Sequence, residues 1–415
     1  MTEEQTRVLL SGWHVKAVRA LQDHGSRVVC AVAPKDRSAA LAHGAAQDVI
    51  VVADPTSVEE VLAALARRGL APEHFDVIST MREFALATMS SLAAAARVDG
   101  MPVPVAVALR DKFVQKRLVR EAGVPVAQCW VVDDPEELRT LPFEGPIVVK
   151  PLAGAGARDT HILEDAAARQ EFAAALASPE AAGPWLAEEF VPGEELHCDG
   201  VVREGEVVFL AVSQYLQNVI SIKSGGFVGS CGLAQERHPK VYERLLRLSG
   251  DVLASLGHRE GIFHLEVFRS GEEYVFSECA GRVGGGMIHE VVQRQFGVDL
   301  VDAWARALLG LPPLPNPAPD PQVHGFVQLR APSGRVLSAP TEAELLARPG
   351  CEYASVDVRV GDAVPDAATA SNHKAGKAML NASDEAEFRQ RTMQCARWFH
   401  DAVLIATEPA EQAGA

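Results

Sequence analysis

Positive charge is scarce in this chain. Its 415 residues carry 39 Lys and Arg against 55 Asp and Glu, a formal net charge of -16. That balance repels polyanions and excludes non-specific binding to nucleic acid. Apolar runs are short, and none approaches the roughly 18 residues of a membrane-spanning helix. Residues 1–7 are polar and partly acidic, unlike the basic start and apolar centre of a secretory leader. Cysteine is sparse and scattered: Cys30, Cys129, Cys198, Cys231, Cys279, Cys351 and Cys395, with no C-x-x-C pair. This spacing excludes a disulfide framework and a thiolate zinc site, and predicts a reduced, cytoplasmic protein.

Several motifs are missing too. No G-x-x-x-x-G-K-[ST] occurs, which excludes a P-loop. Gly154-Ala155-Gly156 lacks the third glycine of the dinucleotide fingerprint, because Asp159 stands there. His289-Glu290 opens like a zinc-protease helix, but its second histidine would fall at Gln293. His161, His197 and His264 lie far apart in the chain and read as ordinary polar contacts.

What remains is a chain that is 48% hydrophobic, enough for two to four domains or subdomains. Residues 7–110 alternate short apolar strands (7–11, 27–32, 49–52 and 75–79) with helical stretches, including 58–68 and 83–97. This pattern predicts βαβ units around a wound parallel sheet. From residue 111 the pattern becomes α+β. An amphipathic helix over 111–123 precedes a strand ending at Lys150, a Gly/Ala loop over 153–157, and a strand over 185–191. Hairpins are predicted over 196–212 and 261–279. Residues 311–322 hold six prolines and read as a linker before a mixed C-terminal module.

Four pieces in this second half suit a nucleotide clamp. Lys112 opens a helix and Lys150 ends a strand, giving two point charges for phosphate oxygens. Gly154 and Gly156 free backbone N–H groups to approach phosphates. The strand through Glu188, Glu189 and Val191 offers backbone N–H and C=O to a base edge, with Glu195 just beyond. Glu266 and Glu278 supply the one or two carboxylates that Mg²⁺ prefers, and Arg282 can stabilise a phosphoryl group in transfer. Gly284-Gly285-Gly286 follows.

In this order, the segments RDKFVQKRLVREAGVPV, IVVKPLAGAGARDT, LAEEFVPGEELHCDGVV and FHLEVFRSGEEYVFSECAGRVGGG resemble the ATP-grasp superfamily over roughly residues 7 to 310. The resemblance implies a Rossmann-like N-terminal domain (1–108). An ATP-grasp domain follows (109–311), with α+β subdomains 109–187 and 188–311 clamping ATP, and then a linker and small C-terminal α+β module (312–415). It implies that Lys112 and Lys150 contact phosphates, that Glu188, Glu189 and Val191 lie along adenine, and that Glu195 binds ribose. Glu266 and Glu278 would hold Mg²⁺, or Mn²⁺, and Arg282 would contact the transferred phosphate. Lys223, His264, Gly285 and Gly286 are candidate substrate contacts. The family often places asparagine two residues after the second glutamate; here Ala280 stands there and offers no ligand. The implied activity is an ATP-dependent carboxylate–amine ligase forming an amide or peptide bond through an acyl phosphate, with release of ADP and phosphate. The substrates are small carboxylates and amines, with no membrane partner, and a homodimer is compatible with this reading. The alternatives are a carboxylase-type enzyme using bicarbonate or a purine-pathway substrate, and a nucleotide-binding regulator without turnover.

The two glutamates constrain the hairpin that joins them, because strand side chains alternate faces. A two-residue turn at Ser270-Gly271 would set Glu266 opposite Val275 and turn Glu278 to the other face. A three-residue loop over 270–272 would set Glu266 opposite Phe276 and Glu278 opposite His264. A shared cation site therefore predicts an odd loop or a bulge between the glutamates, with His264 on their face.

Overall fold

The structure, a computed structural model, describes residues 5–42, 48–154, 159–175, 184–224, 227–365 and 374–406. Four parallel strands open it: β1 (Arg7–Ser11), β2 (Arg27–Val32), β3 (Asp48–Val51) and β4 (Val77–Thr80), in the order β3-β2-β1-β4. Their continuous apolar runs are explained by burial on both faces. Val8, Leu10, Val28 and Cys30 point into one core, whereas Leu9, Val29, Ala31 and Ile78 point into another. The chain runs outward from β1 to β3 and then crosses back to β4. The switch point between β1 and β4 therefore opens beyond Ser11 and Thr80, the end of such a sheet where ligands gather.

The predicted helix over 83–97 is a short 3-10 turn, Glu83–Ala85, leading into the helix Leu86–Ala96. The helix Lys112–Glu121 starts where predicted: Asp111 caps it, its Oδ1 accepting from the Val114 N–H at 2.8 Å. An antiparallel sheet of four strands comes next: β5 (Cys129–Val132), β6 (Ile147–Pro151), β7 (His161–Leu163) and β8 (Trp185–Glu189), in the order β5-β8-β6-β7. The chain then enters β9 (Glu194–Arg203), β10 (Glu206–Tyr215), β11 (Gly229–Gly232), β12 (Gly261–Ser270) and β13 (Glu273–Ala280).

The proline-rich 311–322 holds no helix or strand, yet the C-terminal strands beyond it are not a separate unit. Of β14 (Val323–Leu329), β15 (Gly334–Ser338), β16 (Cys351–Val356), β17 (Ala363–Val364), β18 (Gly376–Ala382) and β19 (Leu404–Ala406), three join the preceding strands. The result is one eight-stranded sheet, β13-β12-β9-β10-β11-β14-β18-β16, with β17-β15-β19 forming a small sheet beside it. The helices Ile288–Phe296 and Leu300–Leu308 pack between this large sheet and the N-terminal one. Ile288, Val292, Val301 and Trp304 share a core with Val8 and Leu10 on one side and with Val201, Ile262 and Phe326 on the other. Among the described residues no helix is long and apolar enough to cross a membrane.

Phe326, in β14, is 1% exposed within that shared core. Phe326→Ala should therefore lower unfolding free energy by about 3–5 kcal/mol in urea titration, the usual cost of emptying a buried aromatic site. A loss below about 1 kcal/mol would contradict the assignment of β14 to the common core.

Candidate active site

Three lysines and a glutamate form the buried centre of the site. On the helix Lys112–Glu121, Lys112 and Lys116 lie one turn apart on the inward face, with Gln115 between them and all three buried. Lys116 Nζ sits 2.8 Å from Glu188 Oε2, and Lys150 Nζ sits 2.6 Å from Glu188 Oε1. The one carboxylate thus joins the helix to β6 and β8. Lys116 also donates to the Ser277 carbonyl at 2.8 Å, and Lys112 pairs with Glu278 Oε1 at 2.9 Å while donating to the Gly154 carbonyl at 3.0 Å. Gln115 clamps the backbone of Cys279 from both sides: its amide donates to the carbonyl at 2.7 Å, and its oxygen accepts from the N–H at 2.8 Å.

Burial pushes the Glu188 carboxyl up, but the ammoniums of Lys116 and Lys150 outweigh it and hold the group at about 2. Burial lowers Lys116, despite Glu188. Burial also opposes the charge on Lys150, yet Glu188 and Glu278 raise it overall.

The hairpin β12–β13 meets the parity condition through a bulge. Its loop is a two-residue turn, Gly271-Glu272, with Ser270 opposite Glu273 and Gly271 at φ +62°. That even turn would put Glu266 opposite Ser277 and Glu278 on the far face. The register shifts at Ser277, however, and Glu266 pairs with Glu278. His264 stands opposite Ala280 on the row beyond. It lies on the same face as Glu266, with Nε2 3.3 Å from Glu266 Oε1, which also accepts from the Tyr215 hydroxyl at 3.1 Å. Burial works against the Glu266 charge, but the His264 hydrogen bond and charge prevail and hold it at about 2. Glu195 is pushed up to about 8, first by burial and then by the charge of Glu266. Its carboxylate accepts from the Val219 N–H at 2.7 Å.

A cleft lies between the antiparallel sheet β5-β8-β6-β7 and the eight-stranded sheet. Lys112, Lys150, Gly154, Glu188, Glu189, Val191, Glu195, Glu266 and Glu278 all lie on its walls. Val148, Phe190, Phe268 and Phe276 add an apolar slot of the kind that takes a flat ring. Arg282 is not a wall residue. It is held outside by Glu83, its Nε donating to Oε2 at 2.7 Å, and Arg110 pairs with the same carboxylate at 2.9 Å. Neither Gly285 nor Gly286 lines the cleft. Gly286, at φ +67°, turns beside the ring of Phe326, where a Cβ would come within 2.5 Å. Of Lys223 only the backbone is described, in the turn Val219–Ser224, and Gly156 lies outside the described residues.

Sequence reasoning missed Lys116, Tyr215, Glu83 and Asp199. Lys116 had a signal, standing four residues after Lys112 on one helix face. So did Asp199, which continues the alternation Glu195, His197 along β9. Glu83 reaches Arg282 across 199 positions and carries no local signal.

Among the described residues the walls hold three lysines and five glutamates. A polyphosphate would therefore meet a net negative cleft unless a divalent cation entered with it. The facing oxygen donors of Glu266 and Glu278 fit a hard cation such as Mg²⁺. The fold and the site define a nucleotide clamp of mixed α/β class, and similarity to known proteins agrees. Residues 143–290 match the ATP-grasp domain family. The chain is 28% identical over 267 residues to an L-arginine-specific L-amino acid ligase of Bacillus subtilis, covering 61% of this chain and 62% of that one. It is 26% identical over 210 residues to dapdiamide A synthase of Enterobacter agglomerans, covering 49% of each. Both alignments span less than two thirds of the relative's length. The crystal structure of an L-amino acid ligase from Bacillus licheniformis superposes with a TM-score of 0.76 at 17% identity, covering 98% of this chain and 100% of that one. Residues 143–290 thus carry an ATP-grasp domain, and the fold of the chain is that of the ligase structure it superposes on.

Removing the central carboxylate should expose the dependence on it. Glu188→Gln leaves two buried ammoniums without their shared counter-charge and should cost about 3–5 kcal/mol at pH 7. Because folding lowers the Glu188 pKa from 4.5 to about 2, its ionic contribution is present above pH 4.5 and lost as pH falls toward 2. Urea unfolding of wild type and variant should give stabilities that converge below pH 4.5. A gap that stays constant from pH 7 to pH 3 would contradict the ionic account.

Proposed function

We propose that this protein is an ADP-forming ligase that joins a small carboxylate to an amine, forming an amide or peptide bond through an acyl phosphate, with amino acids as the substrate class. The observation that carries this reading is the bulge at Ser277, which sets Glu266 and Glu278 face to face on a cleft that also holds Lys112 and Lys150. The names of the two relatives, an L-amino acid ligase and dapdiamide A synthase, support it.

In this scheme a carboxylate oxygen of the first substrate attacks the γ-phosphorus of ATP, and the bond to ADP breaks. The amine of the second substrate then attacks the acyl carbon, phosphate leaves, and the amine loses a proton. Glu266 and Glu278 would hold the divalent cation, Mg²⁺ or Mn²⁺, which neutralises phosphate oxygens and orients them for in-line transfer. Lys150 and Lys112 supply donors to those oxygens. The strand end at Glu189 and Val191 offers backbone groups to the base, and Glu195 serves the ribose. Arg282 stands outside the cleft on Glu83, and would stabilise the phosphoryl group and the leaving phosphate on exchanging that ion pair for them. Ala280 gives no donor beside Glu278. The sheets on either side exclude water that would hydrolyse the acyl phosphate.

A screen over pairs of amino acids should release ADP and phosphate in equal amounts, with a condensation product seen by mass spectrometry. Release of AMP and pyrophosphate, or ADP release that needs bicarbonate, would overturn the proposal. Lys150→Ala should raise KM for ATP and lower kcat by about tenfold or more, since a charge-assisted phosphate contact is lost. Near wild-type kinetics would remove Lys150 from the phosphate site.

A further inference from the structure

One face of the large sheet changes character along its length. Across β9 and β12 the facing rows are Val201 with Ile262, Asp199 with His264, His197 with Glu266, and Glu195 with Phe268. The first row is apolar and joins the core beneath the helix Leu300–Leu308. The next two rows are polar, although Asp199 is fully buried and His197 is 1% exposed. Buried polar groups of this kind are a poor source of stability compared with apolar residues of equal size.

The polar groups form a directed chain. Asp199 Oδ2 lies 2.6 Å from His197 Nδ1, and Asp199 Oδ1 lies 2.9 Å from His264 Nδ1. His197 Nε2 ends on the Ser230 hydroxyl at 2.6 Å. His264 Nε2 reaches Glu266 Oε1 at 3.3 Å, the same oxygen that takes the Tyr215 hydroxyl. Both of these contacts fall on one oxygen of Glu266 and leave Oε2 for a ligand.

His197, Asp199 and His264 could themselves be taken for a cation site, since one donor atom from each lies within 4.8 Å of the others. Their separations of 2.6 and 2.9 Å are hydrogen-bond lengths, shorter than the roughly 3.3 Å between neighbouring donors around a tetrahedral ion. The arrangement matches an outer-shell carboxylate–histidine pair that orients a metal-binding group.

We infer that Asp199 is a positioning residue: through His264 it fixes the Glu266 carboxylate in the orientation that presents one oxygen to a divalent cation. This rests on the proposed role of Glu266 and Glu278 as cation ligands. His197, itself held by the Ser230 hydroxyl, takes the other oxygen of Asp199, so the carboxylate cannot rotate away from His264.

The test is Mn²⁺ binding, followed by electron paramagnetic resonance, in the presence of a non-hydrolysable ATP analogue. Asp199→Asn keeps the shape and removes one acceptor. It should weaken Mn²⁺ binding by about 10–100-fold. Binding of the analogue without metal should stay within about twofold of wild type. In a Glu266→Gln background the same change should add less than about twofold, because its route to the ion is already cut. Folded Asp199→Asn protein with Mn²⁺ affinity within about twofold of wild type, or an undiminished loss in the Glu266→Gln background, overturns the inference. If Asp199→Asn does not fold, His264→Gln is judged by the same criteria. A metal ion retained by Glu266→Gln, Glu278→Gln protein but lost from the Asp199 or His264 variant would place the ion in the triad and overturn it too. Wild type that binds the analogue but no Mn²⁺ would instead refute the cation role of the two glutamates, and the inference with it.

Discussion

Much of this structure depends on one carboxylate holding two buried ammoniums. Glu188 lies between Lys116 and Lys150, and through them fastens the helix Lys112–Glu121 to β6 and β8. Lys116 continues the connection to the Ser277 carbonyl in the large sheet. If the carboxylate were lost, two charges would be stranded in the interior, so the arrangement is all-or-none. That cooperativity keeps the two sheets of the clamp in a defined relation, and Lys150 keeps its charge although it is buried.

The same centre accounts for the placement of the hairpin. Ser277 is the extra residue of the bulge, and its carbonyl is the one that Lys116 holds; Gln115 grips Cys279 two residues on. Contacts from the helix thus bracket the irregular step that turns Glu278 onto the face of Glu266. From the other side, Glu83 draws Arg282 and Arg110 toward the exit of β4. The wound domain therefore reaches Arg282 through its switch point, and the helices Ile288–Phe296 and Leu300–Leu308 pack between the two layers.

Where local pattern governs the structure, the sequence was readable. The apolar runs of β1 and β2, the Asp111 cap and the proline stretch at 311–322 each follow from nearby residues, as does Lys150 at a strand end. The parity of the hairpin was also readable as a requirement, but not its solution. The glycine of the turn allowed either loop, and the choice was settled by contacts from a helix more than 150 positions earlier. Glu83 and Tyr215 acquire meaning only from partners brought by long-range packing. The extension of the large sheet by β14, β18 and β16 was hidden for the same reason, since sheet order across a linker has no local signature. Arg282 was put forward by the resemblance, but its ion pair with Glu83, away from the cleft walls, could not be read from the sequence.

The most direct measurement is a crystal structure of the protein with Mg²⁺ and a non-hydrolysable ATP analogue. The account predicts a cation bound by both Glu266 and Glu278, phosphates against Lys112 and Lys150, and the base in the slot beside Phe190 and Val191. Phosphates bound away from both lysines, or a cation that ignores either glutamate, would contradict it.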